Sequence, residues 1–374
     1  MPQISDIVRA LDAWAPPGQK ADFDRVGLQV GDPSAPARGV VVALDLTPAV
    51  VDEAIEHGAS LIVTHHPLLF KPLDRVTATH PVGGLVLRLA QAGIAFHAIH
   101  TNLDAAWDGV SFALARQLEL EDIGLLAPLD GVMRKLTTYV PPSHADAVRS
   151  ALADAGAGEI GEYRACSFST EGTGRFQPLE TASPTIGKAG GDVETVSEVR
   201  IEAVLPSWIL SDAITAITSV HPYEQPVIDV VALHGRATRS GYGAVGALAS
   251  PEPLYVFLGR VASTLGSGAL RYVGDPSQTI ARVAVCGGSG MSFFPDARRA
   301  GVDAYVTADI TYHRFFEALD ADGRPQIALI DAGHYETEAI TERLIADELA
   351  ARFPDVPVRV TTHRTSPMRT FVGN

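Results

Sequence analysis

Three short stretches bring histidine and acid together: THHP, with His65 and His66; HTNLD, with His100 and Asp104; and DAGHYETE, with Asp331, His334, Glu336 and Glu338. Imidazole nitrogen combined with carboxylate oxygen suits zinc, manganese, iron, cobalt or nickel rather than calcium or magnesium. His334 and Glu338 are four residues apart, so on a helix they share one face, a turn apart. Even three of these histidines and two of the carboxylates exceed the needs of a single ion with an open position. They suit two ions that share a bridging carboxylate. A lone histidine at a strand end is ordinarily hydrogen-bonded or at the surface, and His80, His97, His144, His234, His313 and His363 are read that way.

The doublet at 65 and 66 poses a geometric problem, because successive side chains of a strand point to opposite faces. The apolar run LIVT must therefore end as a strand at or near Thr64. Pro67 biases His66 toward an extended backbone, and a turn there lets both imidazoles reach one site.

Each of the three stretches follows an apolar run of strand length, and helical patterns lie between the runs. GVVVALDLT is a buried-strand pattern, PAVVDEAIEHGA a helix opened by Pro48, LIVTHH a strand, VGGLVLRLAQAG a helix and IAFHAIHTNLD a strand. Strand, helix, strand implies crossover units and a mainly parallel sheet, whose functional side chains collect where strands end. From about Gly131 the texture changes. KLTTYVPP, ADAVRSALADAG, VSEVRIEAVLP, SWILSDAITAITSVHP and VIDVVAL read as two strand–helix–strand halves around a Gly-, Ser- and Thr-rich stretch. That pattern suggests a ferredoxin-like α+β module over 131–234. The alternating pattern then resumes, so the expected architecture is an α/β domain of two segments, 1–130 and 235–374, with an insertion between them.

The composition is that of an ordinary globular protein of 374 residues, with 46% hydrophobic and 20% charged residues, large enough for two or three cores. Its apolar runs are too short to span a bilayer, and MPQISDIVRALDAW reads as an amphipathic start rather than a signal peptide, so the expected location is cytoplasmic. A net charge of −15 with no Lys/Arg block disfavours nucleic acid as a partner. Cys166 and Cys286 are the only cysteines, which excludes a disulfide framework and a thiolate-rich zinc module.

Two glycine-rich stretches carry less than their letters suggest. GYGAVG, Gly241 to Gly246, matches the dinucleotide fingerprint but lacks the preceding strand and the later acid, and is expected to be a loop returning from the insertion. CGGSG, Cys286 to Gly290, follows a strand and lacks the Lys-Ser/Thr of a phosphate-binding loop. It reads either as a tight turn beside the site or as a backbone contact to phosphate or substrate. Cys286 is expected to be a small buried residue rather than a nucleophile.

The phrases DRVGLQVGD, THHPLLFKPL, HTNLDAAWDGV, CGGSG, DAYVTADITYHRFFEAL and DAGHYETE, in this order, resemble the dinuclear-metal-centre family labelled GTP cyclohydrolase 1 type 2-like, also called NGG-interacting factor three-like. The resemblance implies metal ligands at His65, His66, Asp104, His334 and Glu338, with His100 as a further ligand or an orienting group. It also implies two divalent ions per subunit, a toroidal homohexamer, and an inserted module similar to the PII and divalent-cation-tolerance (CutA) proteins. HPYEQPVIDV is similar to the signature of that module. His221 and Glu224 are read there first as caps of a turn fixed by Pro222 and Pro226, and second as groups facing a route to the metals. The expected function is a dinuclear metal-dependent hydrolase acting on a small nucleotide-like or phosphorylated substrate, such as a GTP cyclohydrolase that opens the purine ring, with His100 or Glu336 moving protons. The competing expectation is a non-enzymatic metal-binding or regulatory hexamer with a PII-like sensor.

Overall fold

A computed structural model describes residues 1–371 and divides the chain into two compact units, Met1–Ala127 together with the chain from Ser240 onward, and Pro128–Arg239.

The first unit holds two sheets. One has the order Gly27–Val30, Ala95–Ala98, Leu61–Thr64, Val40–Ala43, Val358–Val360, parallel except for its first strand. Its central strands VVVA, LIVT and AFHA are buried on both faces, as continuous Val/Ile/Leu-rich runs in a parallel sheet require. The helices Pro48–Glu56 and Pro81–Ala92 make the crossovers, each opened by proline at its first position. Ile4, Ile7 and Leu11 of the helix Ile4–Trp14 pack against one face of this sheet with Ile345 and Leu349 of the helix Ile340–Arg352.

The second sheet has the order Arg271–Val273, Ala328–Asp331, Ala304–Thr307, Thr279–Val285, Arg236–Pro253, Leu120–Asp130. Its three central strands in sequence, Thr279–Val285, Ala304–Thr307 and Ala328–Asp331, run parallel. The stretch GYGAVG lies inside the 18-residue strand Arg236–Pro253 rather than in a loop, with Ala244 opposite Val285 and Gly246 opposite Val283. Small residues with weak strand preference hide the strand in the sequence, and the neighbours in the sheet supply what propensity does not. The stretch TYHRFFEAL forms a 3₁₀ segment, Tyr312–Ala318.

The second unit is a four-stranded antiparallel sheet in the order Ser167–Phe176, Glu194–Pro206, Met133–Val140, Ile228–Ala232. With the helices Ala145–Asp154 and Leu210–Val220 it has the strand–helix–strand–strand–helix–strand succession of a split βαβ arrangement. Val199, Ile201, Ala203 and Leu205 face those helices, and the alternating residues Glu198, Arg200 and Glu202 lie on the other face.

Candidate metal centre

The strand Leu61–Thr64 ends where the doublet needs it to end, and His65 and His66 follow in a bend. The Thr64 hydroxyl donates to the His66 carbonyl at 2.6 Å, tying the bend across the doublet. The two rings stand 5.2 Å apart, centroid to centroid, on the same site. HTNLD leaves the neighbouring parallel strand as the short helix Thr101–Ala105, which carries Asp104. DAGHYETE leaves the strand Ala328–Asp331 of the other sheet and forms the helix His334–Glu338. The ends of strands from both sheets therefore deliver the cluster.

Glu338 lies at its middle. One carboxylate oxygen, Oε2, is 2.9 Å from His66 Nε2 and 3.0 Å from His334 Nε2, while Oε1 is 3.8 Å from His65 Nε2. His65 Nε2 is also 3.6 Å from Asp104 Oδ1. Three groups bring their ligand atoms within 4.8 Å of one another: His65, Asp104 and Glu338; His66, His334 and Glu338; and His65, His66 and His100.

The other ring nitrogen of each histidine is already engaged. Nδ1 of His65 meets the Ile99 carbonyl at 2.9 Å, Nδ1 of His66 meets Asp45 at 2.7 Å, Nδ1 of His100 meets Asp24 at 2.8 Å, and Nδ1 of His334 meets Asp309 at 2.7 Å. A carbonyl or carboxylate oxygen only accepts, so each Nδ1 carries a proton, and Nε2 is the nitrogen left facing the cluster, a lone-pair donor whenever its ring is neutral. This outer set of oxygens orients and polarises metal-binding imidazoles. Among the described residues His65 Nε2 is buried with no hydrogen-bond partner, which is costly unless something else satisfies it. The donors present thus fit a metal ion.

The electrostatics point the same way. Burial pushes His65 down to about 4, so its ring is neutral. Burial works against charge on His66 and His334 as well, but Asp45 and Glu338 raise the first to about 10, and Glu338 and Asp309 raise the second to about 9. Burial would raise Glu338, yet His334, His65 and His66 hold it well below the carboxylate range. Asp104 is raised well above that range, by burial and then by the Glu338 charge. Two bare carboxylates in one pocket repel each other, and a cation between them relieves both.

The backbone of CGGSG makes room for the cluster. Gly288 has φ +58°, and a Cβ there would stand 2.1 Å from Glu338 Oε1. Cys286 is buried, as a small apolar residue is, and its thiol is pushed up to about 12 by burial and by Asp104 and Glu338.

The remaining candidates lie apart from these ligand groups. Asp331 accepts from Arg271 and from the Ile310 and Gly333 amides, and Glu336 pairs with Arg364. In the second unit, His221 Nε2 donates to the Tyr139 carbonyl at 3.0 Å and its Nδ1 accepts from the Tyr223 amide at 3.1 Å, which pins a turn. Glu224 accepts from the Ser183 amide. Sequence reasoning overlooked Asp24, Asp45 and Asp309. The available signal was position: Asp45 and Asp309 each stand two residues past a parallel strand, in ALD and TAD, at the same ends as the histidines.

Comparison with known proteins places this geometry in context. The model of a family described as Duf34/NIF3 (NGG1p interacting factor 3) matches residues 2–367. A Mycobacterium tuberculosis protein named GTP cyclohydrolase 1 type 2 homolog is 41% identical over 370 residues, 98% of this chain and 96% of that one. A Bacillus subtilis protein of the same name is 38% identical over 337 residues, covering 90% and 89%. Among solved structures, a Bacillus cereus protein related to NIF3 superposes with a TM-score of 0.83 at 34% identity, covering 99% of each chain. A Staphylococcus aureus protein does so at 0.76 and 30% identity, again over 99% of each.

Proposed function

The chain belongs to the Duf34/NIF3 family, and from that membership and the convergent Nε2 atoms we propose a dinuclear metal-dependent hydrolase acting on a nucleotide-like substrate. His65, Asp104 and Glu338 would hold one ion, and His66, His334 and Glu338 the other, so that each histidine of the doublet would serve a different ion. Bound there, divalent ions supply Lewis acidity and lower the pKa of water. Zinc, iron, manganese, cobalt and nickel all suit these donors. The observation that carries the reading is the engaged Nδ1 of all four histidines beside the orphaned Nε2 of His65.

His100 takes the proton-transfer role. Asp24 fixes its Nδ1–H, and Thr101 locks Asp24 in turn through its hydroxyl at 2.5 Å, leaving His100 Nε2 to accept a proton from water and pass it to the leaving group. Glu336, engaged by Arg364, holds that arginine in place.

Two exposed phenylalanines support a planar substrate. Phe70 is 40% exposed with its ring 6.5 Å from that of His100, and Phe23, 67% exposed, lies edge-on to Phe70 at 6.2 Å. Large apolar rings left in water beside a polar cluster are suited to stacking on a heterocycle. The name carried by the relatives supplies a concrete candidate, hydrolytic opening of the imidazole ring of GTP.

The test is turnover of GTP and a panel of nucleotides and phosphoesters by chelator-treated protein reconstituted with each metal in turn. The reading expects metal-dependent turnover that Glu338→Gln abolishes. Metal-loaded protein that turns over none of them, while its metal occupancy changes binding to other proteins, would replace the hydrolase with a regulatory metal-binding protein.

A further inference from the structure

A cavity of about 680 Å³ opens on the His334 side of the cluster, and it is rich in hydrogen-bond donors. Three arginines line it, Arg271, Arg364 and Arg369, in a chain whose net charge is −15. Ser366, Thr370 and the loop from Gly266 to Gly268 complete that wall, and His334 and Asp309 form the wall shared with the metal centre.

The cavity also contains acids, so formal charge alone does not decide what it binds. The hydrogen bonds do. Both oxygens of Asp331 are taken, by the Ile310 and Gly333 amides and by Arg271. Asp309 Oδ2 accepts from His334, and Glu336 Oε1 accepts from Arg364. Each guanidinium has five N–H donors, and these pairs use only a part of them. Arg271 is 64% exposed and Arg364 52% exposed, so both line the cavity with part of the guanidinium open to solvent, and Arg364 is stacked over the Tyr335 ring at 4.1 Å, which fixes its plane. Spare donors on planar guanidinium groups, with four of the six carboxylate oxygens of Asp331, Asp309 and Glu336 already accepting, favour an anion with several oxygens.

We propose that the Arg369 cavity seats the phosphate group of a phosphorylated substrate whose reacting ring lies over the dinuclear centre. The proposal rests on the hydrolase reading for the position of the reacting ring, but not for the anion site itself. Arg369 approaches the cavity from the segment after the last strand, outside the ligand-bearing helix, and is the specificity-determining residue.

The experiment titrates inorganic phosphate, guanosine and guanosine 5′-monophosphate into the full chain by calorimetry at low salt, in chelator-stripped and metal-loaded forms, alongside Arg369→Gln. Circular dichroism and metal content are recorded for every sample. The expected result is saturable binding of the monophosphate to both forms, tighter than inorganic phosphate or guanosine, and weakened by about tenfold in Arg369→Gln with unchanged metal content. Equal affinities for the monophosphate and inorganic phosphate, or an Arg369→Gln variant that binds as the wild type does, would overturn the proposal. Metal bound as proposed with phosphate indifferent to Arg369 sinks this inference alone. Arg369-dependent phosphate binding in a protein that takes up no metal sinks the hydrolase reading and leaves the anion site standing.

Discussion

His65 Nε2 and Asp104 Oδ1 face each other across 3.6 Å, too far for a hydrogen bond, with the imidazole buried and its other nitrogen already spent on the Ile99 carbonyl. Two lone-pair donors pointed at one space are reconciled by a cation. His65→Ala or His66→Ala should each lower the metal content from about two ions per chain to about one, and Glu338→Gln should lower both sites. Elemental analysis after dialysis against a single metal measures this, and a His65→Ala variant that retains both ions would contradict the assignment.

Asp45 touches no ion in this account, yet it holds His66 through Nδ1 at 2.7 Å and is itself held by Thr365 at 2.7 Å. Asp45→Asn keeps the size and loses the charge. Metal affinity should fall by about 10- to 100-fold, with the circular dichroism spectrum unchanged. Competition with a chromogenic chelator reads the affinity directly.

Proton linkage gives a prediction for the metal-free chain. His66 at about 10 and His334 at about 9 lie above the ordinary 6.5, so their contribution to stability is fully present below about pH 6.5 and lost as pH rises through 9 to 10. His65, held at about 4, acts in the opposite sense, since the unfolded chain takes up its proton first as pH falls from 6.5. The melting temperature of metal-free protein should therefore decline on both sides of neutrality. Ions must displace the protons on His66 and His334, so metal affinity should climb between pH 6.5 and 9, with proton release visible as buffer-dependent calorimetric heat. Affinity independent of pH over that range would refute the linkage.

Gly288→Ala combines two effects, which a second glycine separates. At Gly288 a Cβ would collide with Glu338 Oε1, whereas at Gly301, with a similar φ of +65°, it would meet nothing within 4 Å. Both alanines should lower stability by about 1–3 kcal/mol through backbone strain alone. Only Gly288→Ala should also empty the centre. Equal metal content in the two variants would show that the close approach at Gly288 does not matter to the site.

Much of the centre was legible because its chemistry is local in the sequence. His65 and His66 are adjacent, His334 and Glu338 are one turn apart, and each group follows an apolar run that could only be a buried strand. Asp24, Asp45 and Asp309 were not legible, because their partners lie 76, 21 and 25 residues away and only folding pairs them. The long strand Arg236–Pro253 was missed for a related reason. Its Gly- and Ala-rich sequence has little preference of its own, and pairing with Thr279–Val285 stabilises it as a strand.

Anomalous scattering at the absorption edge of the bound metal, from crystals of the metal-loaded chain, locates the ions and their ligands together. Two peaks are expected, one among His65, Asp104 and Glu338 and the other among His66, His334 and Glu338, with the Glu338 carboxylate shared. A single peak, or peaks that do not touch Glu338, would contradict the dinuclear centre.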